Sequence, residues 1–176
     1  MKRRATTPRA WRRQEQTLPS KAILIWALVS AAAAQAQDMD TGWRTYVNAR
    51  FGVATDYPEL FSVRDPEPAN GDGQSFRTPD GRAKLTVYGS YNVNRQSASE
   101  LLQAYKAEGV NYTYATATAN WFVLSGRKAD AIGYLRCNLG PADVVGCFDI
   151  EYPAAEAARW APVVERLSRS LRVQRR

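Results

Sequence analysis

The chain of 176 residues contains no histidine and only two cysteines. Without imidazole, neither Ser-His-Asp nor Cys-His nucleophile machinery can be assembled, and most catalytic zinc sites lose their usual ligands. The cysteines, Cys137 and Cys147, are ten positions apart, so no C-x-x-C redox pair exists. Long hydrophobic runs are missing too. The one extended apolar stretch, AILIWALVSAAAA at residues 22–34, is thirteen residues long. A spanning helix needs ~20 residues to cross ~30 Å of hydrocarbon. No internal repeat is visible.

What the chain does have begins with a basic leader. Residues 1–21 carry seven Lys or Arg and one Glu, and the apolar stretch follows directly. Ala34-Gln35-Ala36 then supplies the small-x-small pattern read by signal peptidase, with Gln37 as the first mature residue. This pattern predicts a Sec-type signal peptide over 1–36, a mature domain over 37–176, and a periplasmic or secreted protein. No cysteine follows the apolar run, which disfavours a lipoprotein. The leader is long for its class, and a translation start near Leu18 would account for the excess.

The leader also accounts for most of the charge. The whole chain has 24 basic and 17 acidic side chains, a net +7. Removing residues 1–36 leaves 17 against 16. The mature domain therefore lacks the bulk positive surface that counterion release on nucleic acid requires. Only RLSRSLRVQRR at the C-terminus stays basic. It reads as a solvated helix end whose cations complement the dipole, with at most peripheral contact to anionic lipid.

The 140 mature residues suit one domain. WRTYVNARFGVATDYP reads as two short strands around Asn48-Ala49-Arg50, and LFSVR as another. RDPEPANGDGQ is an exposed loop. QSFRTPDGRAKLTVYGSYN predicts a hairpin turning at Pro79-Asp80-Gly81. In it Leu85, Val87 and Tyr91 face inward, while Lys84, Thr86, Tyr88 and Ser90 face outward. SASELLQAYKAEG predicts a helix opened by a Ser97–Glu100 capping box and closed by Gly109. NYTYATAT, WFVLSG, AIGYLRC and VVGCFDIEY follow as an antiparallel meander. PAAEAARWAPVVERLSRSLR closes the chain as a helix with Trp160, Val164, Leu167 and Leu171 on one stripe, kinked or restarted at Pro162. Strands grouped with a few helices make the class α+β, an antiparallel meander flanked by helices.

That layout places Cys137 and Cys147 on adjacent strands with the connecting loop centred near Ala142. In an oxidising compartment such a pair closes as a disulfide. Two thiolates alone do not complete a zinc site, and reduced cysteines are the remaining alternative. Other chemical signals are thin. Ser125-x-x-Lys128 matches S-x-x-K but ends a strand and lacks the S-D-N and K-T-G partners. Asn70, Asp72 and Gln74 lack the spacing and the final Glu of an EF-hand. Asp149 and Glu151 share a strand face, which admits a paired-carboxylate hydrolase, although a polar outer face explains them as well. Tyr88, Tyr112 and Tyr114 are candidate exposed aromatics for a binding surface. No metal site and no cofactor is expected.

The segment N-x-RFG-x-x-x-DYP at 48–58, VLSGRKAD at 123–130 and the closing amphipathic helix resemble the PsbP-like superfamily. The resemblance spans nearly all of the mature chain. It implies an antiparallel sheet with helices on its faces, a PsbP-like sandwich, and a protein that binds or supports others. It carries no shared catalytic residues. The leading expectation is thus a non-enzymatic accessory or binding protein with an envelope protein as partner. The alternatives are a hydrolase built on Asp149 and Glu151, and a structural envelope module held through Arg172, Arg175 and Arg176.

Overall fold

The structure, a computed structural model, describes residues 42–107 and 109–174. The expected signal peptide over 1–36, its expected cleavage residues Ala34, Ala36 and Gln37, and the terminal Arg175 and Arg176 lie outside the described residues.

The chain opens with the antiparallel pair β1 (Trp43–Asn48) and β2 (Val53–Pro58). The buried Asn48 carbonyl side chain accepts from the Phe51 N–H at 2.8 Å, closing the turn. Gly52 continues it at φ +67, a region that disfavours side chains; a Cβ there would lie 2.7 Å from the Gln174 carbonyl oxygen. β3 is only Val63–Arg64. The expected hairpin forms as β4 (Gly73–Arg77) and β5 (Lys84–Tyr91). Helix α1 covers Ala98–Ala104. Four strands follow: β6 (Asn111–Ala117), β7 (Trp121–Lys128), β8 (Ala131–Leu139) and β9 (Val144–Pro153). The long helix α2 (Ala157–Ser170) and a short β10 (Arg172–Val173) end the described chain.

Seven strands form one antiparallel sheet in the order β3-β4-β5-β9-β8-β7-β6; β1, β2 and β10 form a second, smaller sheet. The two faces of the large sheet are buried differently. On the inner face, Leu85 and Val87 of β5 and Phe148 and Ile150 of β9 are fully buried. They join a core with Phe51, Val53 and Phe61 and with Trp160, Val163 and Leu167 of α2. On the outer face, Leu101 and Leu102 of α1 pack over Phe122, Leu124 and Val145 and over the two cysteines. Burying a large apolar side chain contributes ~2 kcal/mol, so this second core fixes α1 to the sheet.

Several expectations need correction. The helix after Ser97 has its Ser97–Glu100 capping box, but its C-cap is Tyr105 rather than Gly109. With seven residues it is marginal alone and depends on its packed face. Tyr91 is 55 % exposed rather than inward. Helix α2 runs through Pro162 as one element, and its most buried stripe is Trp160, Val163 and Leu167, with Val164 only partly buried. The basic terminus is not simply a helix end: β10 returns to pair antiparallel with β2, Val173 opposite Val53.

Candidate functional site: a groove on the outer face

Helix α1 is too short to roof the whole outer face. It covers the end where β5, β9, β8 and β7 carry Tyr88, Cys147, Cys137 and Phe122, and leaves the other end open. A groove of about 200 Å³ occupies that opening. Leu124, Leu135 and Asp149 are among its floor residues, Glu151 stands beyond Asp149, and Tyr105, Val110 and Tyr112 wall it on the α1 and β6 side. Gly133 lies in mid-strand on β8, opposite Glu151. A Cβ at Gly133 would meet nothing within 4 Å, so the missing side chain is part of the opening. Gly126 differs: a Cβ there would lie 2.8 Å from the Asn111 carbonyl oxygen and from Val110.

Cys137 and Cys147 stand in register on β8 and β9, with Cα atoms 4.1 Å apart, and are joined as a disulfide. Both are fully buried beneath α1. The bond staples the floor of the covered half beside the groove, and it fits an oxidising compartment.

Asp149 and Glu151 do share a strand face, as the alternation implies, and both reach solvent. Their face is not a uniformly polar one, because Val145 and Cys147 on the same face are buried under α1. Asp149 therefore sits at the boundary between a dry core and an open groove. Its carboxyl is pushed up to about 6 by burial first, and then by the neighbouring Glu151; Lys84 opposes the shift. No hydrogen bond or ion pair to either carboxylate is present among the described residues. Both rise from one strand, side by side along the floor. A glycosidase places its carboxylates on either side of the bond to be cleaved, and this arrangement offers no such opposed pair.

The three tyrosines do not make one surface. Tyr88 packs against the α1 core, and burial together with Tyr105 and Asp149 beside it raises its hydroxyl pKa strongly. It points outward as the alternation implies, but it is half-buried against the α1 core instead of standing free. Tyr112 lines the groove, and its hydroxyl accepts from the Ala107 N–H at 2.8 Å, tying β6 to the chain leaving α1. Tyr114 is 53 % exposed. A register shift lies between the two: Tyr112 pairs with Gly126, yet Tyr114 pairs with Ser125. Adjacent residues of β7 point to opposite faces, so this bulge sends Tyr114 away from the groove.

The remaining sequence candidates have local explanations. Asn70 donates to Asp72 at 2.7 Å, and Asn48 donates to the Gly71 carbonyl, so this loop is tied by its own bonds. Ser125 to Lys128 is the end of β7. Arg172 is exposed on β10. Among the described residues, no three His, Cys, Asp or Glu side chains come together, and no helix is long and apolar enough to cross a membrane.

No family model matches the chain, and no curated protein matches it. Solved structures do. The solution structure of cyanobacterial PsbP (CyanoP) from Synechocystis matches at a TM-score of 0.61 and 14 % identity, over 76 % of this chain and 94 % of that one. The Saccharomyces cerevisiae Ran-binding protein Mog1p matches at a TM-score of 0.56 and 10 % identity, over 76 % of this chain and 96 % of that one. The fold is PsbP-like. At these identities the likeness concerns the backbone, and the groove residues must be read on their own chemistry.

Proposed function

We propose that this chain is a non-catalytic binding or accessory protein of the bacterial envelope, exported by its N-terminal signal peptide, and that the outer-face groove is its contact site. The groove carries the reading: the fold leaves one half of a sheet face uncovered, opens it further at Gly133, and borders it with aromatic side chains. The disulfide supports an oxidising location. The PsbP-like fold supports an accessory role, since Mog1p of the same fold is a Ran-binding protein. Of the three tyrosines, Tyr112 belongs to this surface, Tyr114 offers a separate contact on the opposite face, and Tyr88 supports the site from beneath α1. The side-by-side carboxylates weigh against the hydrolase.

The test is photocrosslinking in the native cell. A photoreactive side chain replaces Tyr112 in one variant, Tyr114 in a second and the exposed Arg169 of α2 in a third. A reproducible adduct at position 112 that is absent at 169 is the expected result. An adduct only at 114 moves the contact to the other face. No adduct at either tyrosine overturns the binding reading.

A further inference from the structure

The groove combines an apolar body with a floor on which two carboxylates have no hydrogen bond or ion pair among the described residues. Leu124, Leu135 and Tyr112 supply apolar and aromatic surface, and Gly133 leaves room above the strand. Asp149 and Glu151 add two carboxylates on one face of β9, separated by one residue and so roughly 7 Å apart at their Cα atoms. Two lysines are nearby, and Arg82 and Arg127 line the wider pocket beyond Glu151. Lys84 lies opposite Glu151 on β5, and Lys128 lies at the rim. Neither is ion-paired to Asp149 or Glu151 among the described residues.

Building on the reading of the groove as the contact site, we propose that it takes an organic cation, a primary ammonium on an aromatic or apolar stem, with the ammonium on Asp149 and the stem over Leu135 and Gly133. A cation brought next to Asp149 would relieve the repulsion between the two carboxylates and recover part of the hydration lost at the floor. Tyr105 and Tyr112 present ring surface at the wall, which suits a cation or an aromatic stem. The elevated proton affinity of Asp149 agrees with this, since a proton is the smallest cation the site can take up. The groups facing Asp149 are Glu151 on its own strand, Lys84 and Tyr88 on β5, and Tyr105 after α1. Of these, Glu151 raises its proton affinity more than Lys84 lowers it.

The test uses the mature chain from Gln37, with tryptamine as the cationic probe and indole-3-propionate as its anionic counterpart. Binding is followed by calorimetry and by amide shifts of Gly133, Leu135 and Asp149. Tryptamine is expected to bind at pH 7.5, shift these amides, and weaken at least tenfold in Asp149→Asn and at pH 5. The anionic probe is expected to leave them unmoved. Gly133→Leu has room for its Cβ, extends a side chain over the open floor, and is expected to abolish binding while the protein stays folded. A capped Lys-Trp dipeptide beside free tryptamine tells a partner's lysine side chain from a free amine; binding of either on these residues supports the assignment. Equal binding of the cationic and anionic probes, or an unchanged affinity in Asp149→Asn, overturns the charge assignment but leaves the groove as a binding site. Binding of neither probe, with Gly133→Leu also failing to alter crosslinking at position 112, overturns both.

Discussion

Replacing Asp149 with asparagine removes a charge that the fold holds at a cost. An ordinary aspartate titrates near ~3.9, whereas in the folded protein Asp149 is pushed up to about 6. The folded state therefore binds a proton more tightly than the unfolded chain does. Stability from such a group is fully present below pH ~4 and is lost as pH rises through about 6. At ~1.4 kcal/mol per tenfold change in proton affinity, the whole displacement would come to ~3 kcal/mol. Solvent reaches Asp149 from the open groove and screens it, which reduces the expected figure to about 1–2 kcal/mol. Asparagine keeps the shape and cannot ionise. Asp149→Asn is thus expected to stabilise the protein by about 1–2 kcal/mol at pH 7.5 and to have little effect at pH 4. The assay is urea denaturation of wild type and variant at both values, comparing midpoints at constant m. An equal effect at pH 4 and pH 7.5, or destabilisation at pH 7.5, would refute the reasoning. A gain confined to neutral pH would mark Asp149 as a residue kept against stability, the pattern expected of a binding group rather than of surface filling.

Three other substitutions probe the frame of the groove. Converting both cysteines to alanine is expected to cost ~2–3 kcal/mol, the loop-closure value for so short a ring; alkylation with and without reductant, read by intact mass, checks that the wild-type pair is closed. Leu102→Ala opens the core under α1 and is expected to cost ~2–4 kcal/mol, with the loss of amide protection concentrated in 98–105. Gly52→Ala places a Cβ against the Gln174 carbonyl at positive φ. It is expected to cost ~1–3 kcal/mol by displacing β10 from β2, measured as a lowered denaturation midpoint, and a change within error would contradict the close approach.

The alternation of LTV and FDI in β5 and β9 made their inner faces readable in the sequence, because a strand has period two and one face was fully buried. The cysteine pairing was readable for the same reason: once two strands and a short loop are assumed, ten residues of spacing put Cys137 opposite Cys147. What escaped was the other face. Alternation tells which residues point together, but not what another element lays over them. Tyr88, Cys147, Asp149 and Glu151 all point outward, and the seven residues of α1 decide that the first two are covered and the last two open. The apolar stripe of α1 was visible in Leu101, Leu102 and Tyr105, yet its docking face is a tertiary fact with no local signature. The bulge in β6 is a second such case. NYTYATA looks like an even alternation in which Tyr112 and Tyr114 must share a face; one inserted residue, Thr113, reverses the sense between them. Thr113 carries no turn chemistry that announces this. The pairing partner is a glycine: Gly126 of β7 leaves room for the Asn111 backbone and Val110, where a Cβ would lie only 2.8 Å away. Gly126→Ala places a Cβ against the Asn111 carbonyl and Val110, so it is expected to shift the amides of residues 110–112 at the groove wall; unmoved amides there would contradict the close approach.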